Sequence, residues 1–459
     1  MYRSLFSVGG FTLLSRVTGF ARDMIISALL GATGLADAFF VAFKLPNLFR
    51  AVFGEGAFNT AYVPAYARIL KTDGDAAARD FSGEVFAFLL VSQLALFAVF
   101  EIEAAHLVRL IAPGFAADPA KFAVTVALTR VTSPYLMLMT LAAQQSGTLN
   151  AHGKFAAAAF APALLNFSMI GFLSAHRLFP DAAHAAAWGT LAAGFLQAGL
   201  VMIACARGGF GQTLRLPRFG GPLRRFFRAL GPAVIGSAGV QIAIFADTII
   251  ASLLPTGSVS AINYADRLYQ LPIGVIGVAA GVVLLPEMSK RLAVDDEAGA
   301  AAAQNRTLAL SALLAAPFMV AFLFAPRALV DGVFRRGAFT AEDGLRAAAI
   351  LRAYGSGLIA IVSIRSVVAS FQARHDTRTP MLVSLAAIAA NVALKLALYK
   401  PMGAAGLAAA TAVGAWLNLA GLALVARRRG WFALDGHALG IGAATLFACG
   451  ALALAAAAT

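Results

Sequence analysis

Residues 4–31 read SLFSVGGFTLLSRVTGFARDMIISALLG, an apolar run long enough to cross a bilayer as one helix. Three charged residues interrupt the run: Arg16, Arg22 and Asp23. A secretory signal peptide has an uncharged apolar centre followed by a small-residue cleavage site, and this stretch has neither. We therefore predict a retained first membrane helix that carries charge within the bilayer.

The whole chain has the composition of a membrane protein. Of its 459 residues, 60% are hydrophobic and 13% are charged, and the mean hydropathy is +0.80. Soluble domains carry about 25% charged residues, so an ordinary soluble enzyme is excluded. The net charge of +14 would indicate nucleic acid in a soluble protein. Here the membrane surface explains the excess of cations, and we expect no nucleic-acid partner.

Apolar runs separated by charged or Gly/Pro-rich segments predict an all-α polytopic membrane protein. We predict thirteen transmembrane helices. They lie at 4–31, 35–66, 81–111, 122–150, 157–177, 185–206, 229–254, 259–288, 307–326, 345–372, 380–399, 404–426 and 437–458.

Lys and Arg are concentrated in alternate loops, which predicts a cytoplasmic N-terminus. We divide the chain into an N-terminal lobe at 1–206 (helices 1–6), a basic cytoplasmic linker at 207–228 and a C-terminal lobe at 229–427 (helices 7–12). Helix 13 lies within 428–459. The outside loop 325–345 breaks the charge rule locally, and we expect it to form a short structured or interfacial segment. A weak repeat between the two lobes favours a substrate cavity at their interface.

Charges inside the spans concentrate on helices 1, 2 and 8. They are Arg16, Arg22, Asp23, Asp37, Lys44, Arg50 and Glu55, together with Asp266 and Arg267. A charge at mid-bilayer costs at least about 2.5–3.5 kcal/mol, so these side chains either face a water-filled cavity or are paired. Guanidinium groups bind phosphate and carboxylate through two parallel hydrogen bonds, which favours an anionic substrate. The alternative is that each arginine is neutralised locally, Arg22 by Asp23 or Glu55 and Arg267 by Asp266.

Arg16 and Arg22 are six residues apart, about 120° around an ideal helix, and would not share one face. Gly19, preceded by Ser15 and Thr18, permits a bend or an unwound turn that would bring both guanidinium groups into one cavity.

Five stretches carry a resemblance to a known family: LSRVTGFARD (14–23), ADAFFVAFKLPNLFR (36–50), GEGAF (54–58), YADRLYQLP (264–272) and RGAFT (336–340). Together they resemble the MurJ (MviN) family of lipid II flippases, in the multidrug/oligosaccharidyl-lipid/polysaccharide exporter superfamily. The resemblance implies two lobes around a central cationic cavity. It also implies transport of lipid II, the lipid-linked peptidoglycan precursor, from the cytoplasmic to the periplasmic leaflet of the bacterial inner membrane.

The resemblance also implies roles for the charged residues. The expected substrate-binding residues are Arg16, Arg22, Arg50 and Arg267, and the expected cavity or gate partners are Ser15, Asp23, Asp37, Lys44, Glu55 and Asp266. The expected partners are lipid II and membrane lipid, with cell-wall synthesis proteins as candidates.

Two departures from the family are visible. Relatives end with a fourteenth helix, whereas thirteen are predicted here. Some relatives hold sodium, and Asp247, Asn391 and Thr411 fit that pattern, but Lys395 stands one turn after Asn391 where a second carboxylate is expected. An ammonium group there replaces a cation, so we expect no metal and no sodium requirement.

The sequence contains no phosphate-binding GxxxxGK[ST] loop, no His/Cys metal cluster and no plausible catalytic triad, so we expect neither a cofactor nor enzymatic activity. Movement of the substrate would be driven by an ion gradient or the membrane potential. The alternatives are a flippase for another polyprenyl-linked oligosaccharide and an ion-coupled drug exporter. A cationic-drug exporter needs unpaired carboxylates in its cavity, whereas arginines outnumber accessible acids here.

Overall fold

The computed structural model describes residues 2–49, 57–212, 215–217, 220–432 and 440, and within those ranges the structure is helical and without strands. The helices are α1 (Tyr2–Leu30), α2 (Gly34–Phe49), α3 (Ala57–Ile102), α4 (Ala104–Ile111), α5 (Pro119–Thr132), α6 (Pro134–Ala151), α7 (Phe155–Ser174), α8 (Ala182–Arg207), α9 (Gly221–Ser252), α10 (Ser258–Pro272), α11 (Val278–Leu292), α12 (Glu297–Phe324), α13 (Pro326–Phe334), α14 (Ala341–Gly355), α15 (Leu358–Ala373) and α16 (Arg378–Arg428). The predicted all-α class is confirmed.

Several described segments are long and apolar enough to cross a membrane. They are Phe58–Ile102, Pro119–Ala151, Phe155–Ser174, Ala182–Arg207, Glu297–Phe324, Ala341–Ala373 and Arg378–Arg428. The chain is therefore a multi-pass membrane protein, while the count of thirteen spans stays a prediction. The predicted span at 437–458 lies outside the described residues apart from Gly440.

Two of the longest helices contain a glycine that turns the chain. Gly74 divides α3 with φ 84° and ψ 178°, and Gly403 divides α16 with φ 58° and ψ −140°. Positive φ is costly for residues that carry a Cβ atom, so glycine is the natural residue at both positions. The turn at Gly403 separates the two spans predicted at 380–399 and 404–426.

The chain forms two compact units, Met1–Gly257 and Ser258–Thr459. In the first unit, Leu223 and Phe226 at the start of α9 pack into an aromatic core with Phe58, Tyr62 and Phe81 of α3. This packing places α9 in the first unit. The predicted lobe boundaries, with a linker at 207–228, stay a prediction.

The second unit contains the arginine-rich segment predicted to be an outside loop, residues 325–345. Its residues form the short helix α13 and the start of α14, which confirms the prediction of a structured segment. Asp331 forms ion pairs with Arg327 at 3.6 Å and Arg335 at 3.3 Å. Arg346 pairs with Glu342 one turn away. These ion pairs, together with the bonds from Arg336 to the backbone oxygens of Val333 and Gly332, hold the four arginines within the structured segment.

A close approach in the first unit gives a test of its packing. A Cβ atom at Gly114 would lie 2.0 Å from the backbone oxygen of Ser252, the last residue of α9, whereas one at Gly171 would meet nothing within 4 Å. A backbone carbonyl cannot rotate away as a side chain can, so Gly114→Ala should destabilise the protein by about 1–3 kcal/mol. Thermal unfolding of the purified protein measures this. Gly171→Ala is the matched control and should unfold at or above the parental temperature; equal unfolding of both variants would contradict the packing.

Candidate functional site

Arg22 lies buried in the C-terminal third of α1, and its guanidinium group forms hydrogen bonds with two neighbouring side chains. Its Nε and Nη2 donate to Oδ1 of Asp23 at 3.0 and 2.7 Å, and its Nη1 donates to Oδ1 of Asn166 on α7 at 3.0 Å. The side chains of Arg22 and Asp23 are 8% and 6% exposed. Asp23 therefore neutralises Arg22, one of the two local pairings that the sequence left open.

Asn166 fastens α7 to α1 around Gly19. Its Nδ2 donates to the backbone oxygen of Ser15 at 2.8 Å and to Oγ1 of Thr18 at 3.2 Å. A Cβ atom at Gly19 would lie 3.3 Å from that Nδ2. α1 stays helical from Tyr2 to Leu30, so the unwound turn predicted at Gly19 is wrong. The glycine instead lets the asparagine approach the helix.

Arg16 differs from Arg22 although both lie on α1. Its side chain is exposed, and within the described residues it makes no hydrogen bond or ion pair. The separation of the two arginines around α1 agrees with the prediction that they do not share a face. Arg16 is thus a cation in the middle of α1 that is not neutralised by any described side chain.

Asp37 lies in the first turn of α2 and holds three elements of the first unit together. Its Oδ2 accepts from Nζ of Lys121 on α5 at 2.8 Å and from the backbone N–H of Gly257 at 2.8 Å. Both side chains are almost fully buried, and Nζ also lies 3.9 Å from the ring centroid of Phe115. A lysine in the first turn of a helix is unfavourable because of the helix dipole. The pair with Asp37 offsets this cost and also the cost of burying the ammonium group.

The other predicted site residues are spread along the chain. Lys44 is half-buried on α2, and Asp266 and Arg267 are half-buried on α10. Asp266 accepts a hydrogen bond from Gln270 one turn later. Ser15 contributes its backbone oxygen to the Asn166 contact. Arg50 and Glu55 lie outside the described residues.

The sodium candidates divide between the two units. Asp247 lies on α9 in the first, and Asn391 and Thr411 lie on α16 in the second. Oγ1 of Thr411 donates to the backbone oxygen of Leu407 at 3.0 Å. Lys395 is 3% exposed. Within the described residues, no group of three His, Cys, Asp or Glu side chains is placed to hold a metal ion.

Comparison with known proteins identifies the family. The family model for the lipid II flippase MurJ matches residues 26–459. The chain is 42% identical over 417 residues to the probable lipid II flippase MurJ of Rhizobium meliloti, an alignment that covers 90% of this chain and 78% of the relative. The chain belongs to the MurJ family. It is also 35% identical over 431 residues to the lipid II flippase MurJ of Burkholderia cenocepacia, covering 91% of this chain and 82% of that relative.

Solved structures show the same fold. A lipid II flippase MurJ in an inward closed conformation superposes with a TM-score of 0.85 at 24% identity, covering 98% of this chain and 92% of that chain. A multidrug resistance MATE family transporter in its inward-facing conformation superposes with a TM-score of 0.74 at 15% identity, covering 92% and 97%. The fold is thus shared with a transporter whose sequence is only distantly similar.

Two residues of this MurJ family member were missed by sequence reasoning. Lys121 lies just before the span predicted at 122–150, where the sequence indicates a loop lysine, yet it is buried against Asp37. Asn166 stands in an apolar run, where a lone amide gives little sign of a partner. The only available signal was that a buried polar side chain in a span must find a hydrogen-bond partner.

The Asp37–Lys121 pair can be tested by a double-mutant cycle. Lys121→Met leaves a carboxylate buried without its cation and should destabilise the protein by about 3–5 kcal/mol. Adding Asp37→Asn removes the stranded charge and keeps an acceptor for the Gly257 N–H, so the double variant should recover part of the loss. Thermal unfolding measures both. Lys71→Met changes an exposed lysine in the same unit and should have little effect; a similar loss there would argue against a special role for the pair.

Proposed function

We propose that the chain moves lipid II from the cytoplasmic to the periplasmic leaflet of the bacterial inner membrane, with its N-terminus in the cytoplasm. The two lobes would alternate access to a central cationic cavity. The MurJ family match over residues 26–459 carries this proposal. The proteins that make and use lipid II are the protein partners that such a role implies.

The charge balance of α1 supports an anionic substrate. The Arg22–Asp23 pair is internally neutral, so Arg16 adds a positive charge to α1 that this pair does not offset. A diphosphate offers Arg16 the paired oxygens that guanidinium groups bind best. We propose that Arg267 and Arg50 complete the diphosphate site and that Arg22 joins it when its pair with Asp23 opens. Lys44, Asp266 and Glu55 would then adjust the charge of the cavity or its gate.

Flipping requires no covalent chemistry. A flippase moves an intact lipid between leaflets, so membership of the MurJ family bears out the prediction that the chain is not an enzyme. What the protein supplies is a polar route for the headgroup, while the polyprenyl tail stays in the apolar membrane.

The described carboxylates do not favour a cationic-drug exporter. Such a transporter needs an acidic side chain available to the drug, whereas Asp23 is held by Arg22 and Asp37 by Lys121. A flippase for another polyprenyl-linked oligosaccharide would differ only in headgroup. The relatives are named as lipid II flippases, which favours lipid II.

Genetic complementation tests the function and its site together. In a strain depleted of its own lipid II flippase, the parent should restore growth. Arg16→Ala and Arg267→Ala should fail, since loss of a charge-assisted hydrogen bond costs about 1.5–3 kcal/mol, or roughly 10- to 100-fold in binding. Arg16→Lys should rescue only partly, because lysine lacks the planar fork.

Arg177→Ala removes an exposed arginine between α7 and α8 and should rescue fully. All variants are compared at equal membrane levels. Failure of the well-expressed parent would argue against lipid II as the substrate, whereas full rescue by Arg16→Ala and Arg267→Ala would argue only against the proposed binding site.

We propose further that transport does not require sodium, because the buried ammonium of Lys395 supplies a cation near Asn391 on α16. In vesicles containing the purified protein, the rate of lipid II movement should be the same in sodium and potassium buffers. Replacing Lys395 by Glu restores a carboxylate one turn from Asn391 and should introduce sodium dependence. A sodium-dependent parent would refute the proposal.

A further inference from the structure

A cavity of about 500 Å³ opens at one end of the first unit, and neither Arg16 nor the Arg22–Asp23 pair lines it. Leu149, Phe155, Ala157, Ala204 and Phe210 give it apolar walls, and Lys154 and Arg207 supply two cations. It lies where the spans Pro119–Ala151 and Ala182–Arg207 end and the span Phe155–Ser174 begins. The ends of transmembrane helices lie at the membrane–water interface, so the cavity opens at the level of the lipid headgroups.

The cavity is built by two matching helix ends. Gly153 after α6 and Gly209 after α8 have φ of 70° and 77°. The next N–H in each case bonds five residues back, from Lys154 to Leu149 at 2.8 Å and from Phe210 to Cys205 at 2.9 Å. These are the bonds of a Schellman motif, which fixes the direction in which the chain leaves a helix.

The two helix ends are also held to each other. The ring of Phe210 stacks on His152 with centroids 3.6 Å apart, and Nε2 of His152 lies 3.0 Å from the hydroxyl oxygen of Tyr66 on α3. Burial lowers the pKa of His152, which favours the neutral ring in this stack. The cavity therefore has a fixed floor and is part of the fold.

Lys154 and Arg207 are not used by the fold. Within the described residues, neither side chain makes a hydrogen bond or an ion pair. Elsewhere the chain shows what a cation at a helix end does when it caps that end: Arg336 donates to the backbone oxygens of Val333 and Gly332, and Arg374 donates to that of Ser370. The cavity cations cap neither α6 nor α8 in this way.

We propose that this cavity binds the headgroup phosphate of an anionic phospholipid. Lys154 and Arg207 would contact the phosphate, and the glycerol and first acyl carbons would lie against Phe155, Ala157 and Ala204. Next to the cavity on α8, the exposed apolar side chains of Met202 and Ile203 would contact the acyl chains. Both cations lie in segments predicted to be cytoplasmic, and basic pockets between helices on that side bind anionic headgroups. The site does not depend on the proposed transport activity.

Lipid binding to the purified full chain in neutral detergent tests the proposal, with bound phosphatidylglycerol and phosphatidylcholine counted by native mass spectrometry. The parent should prefer phosphatidylglycerol. Lys154→Gln or Arg207→Gln should each weaken its binding about fivefold and the double variant about 30-fold, because each cation near an anionic headgroup contributes a similar electrostatic attraction. Binding of phosphatidylcholine should not change.

Arg177→Gln is the matched control. It makes the same charge change at an exposed arginine at the other end of α7 and α8, and it should bind phosphatidylglycerol as the parent does. Equal loss in this control, or parental binding by the double variant, would overturn the proposal in favour of general surface charge.

Ala204→Phe tests the contribution of the cavity's shape separately from that of its two cations. It fills the apolar wall and leaves Lys154 and Arg207 in place, so it should weaken phosphatidylglycerol binding although the charge is unchanged. Parental binding by this variant would overturn the placement of the lipid. Undecaprenyl diphosphate is the competing source of phosphate. If the parent binds undecaprenyl diphosphate in preference to phosphatidylglycerol, and the double variant loses that binding, the cavity is a polyprenyl-lipid site and the phospholipid proposal is wrong.

Discussion

The charge of the buried Arg22 on α1 must be compensated, and this requirement decides how α7 contacts α1. Two donors of the guanidinium go to Asp23 and one to Asn166. An uncompensated charge at this depth would cost several kcal/mol, comparable to a sizeable part of the stability of a whole domain. The helix that contributes Asn166 is therefore fixed against α1 by electrostatics as well as by packing.

The same constraint acts at the second buried ion pair described in the first unit. The Asp37–Lys121 pair joins α2 to α5, and the Gly257 N–H adds the loop that follows α9. Neutral polar groups are treated alike: the Tyr62 hydroxyl on α3 bonds with Ser82 and with Thr148 and Gln144 of α6. Once these groups have satisfied one another, Arg16 stands out as a charge of α1 with no such partner among the described residues.

The two proposed binding sites place two phosphate-bearing lipids at two separate groups of cations. Arg16 lies in the middle of α1, where we propose that it binds a transported headgroup. Lys154 and Arg207 lie where α6 and α8 end and α7 begins, where we propose that they bind a resident phospholipid.

The amino-acid sequence by itself determined the class of the protein, most of its apolar helices and the position of charge along them. Hydropathy is a local property, so the spans predicted at 157–177 and 185–206 match α7 (Phe155–Ser174) and α8 (Ala182–Arg207) within a few residues. The family motifs likewise needed no tertiary information. The partners of buried charges are not local in the sequence. Asp37 and Lys121 are 84 residues apart, and Arg22 and Asn166 are 144 residues apart. Only the tertiary structure decided that Gly19 admits the side chain of Asn166 and does not unwind α1. Only the tertiary structure likewise decided that α6 and α8 end beside each other around Lys154 and Arg207. The reason is that contacts between distant parts of the chain determine which helices pack together.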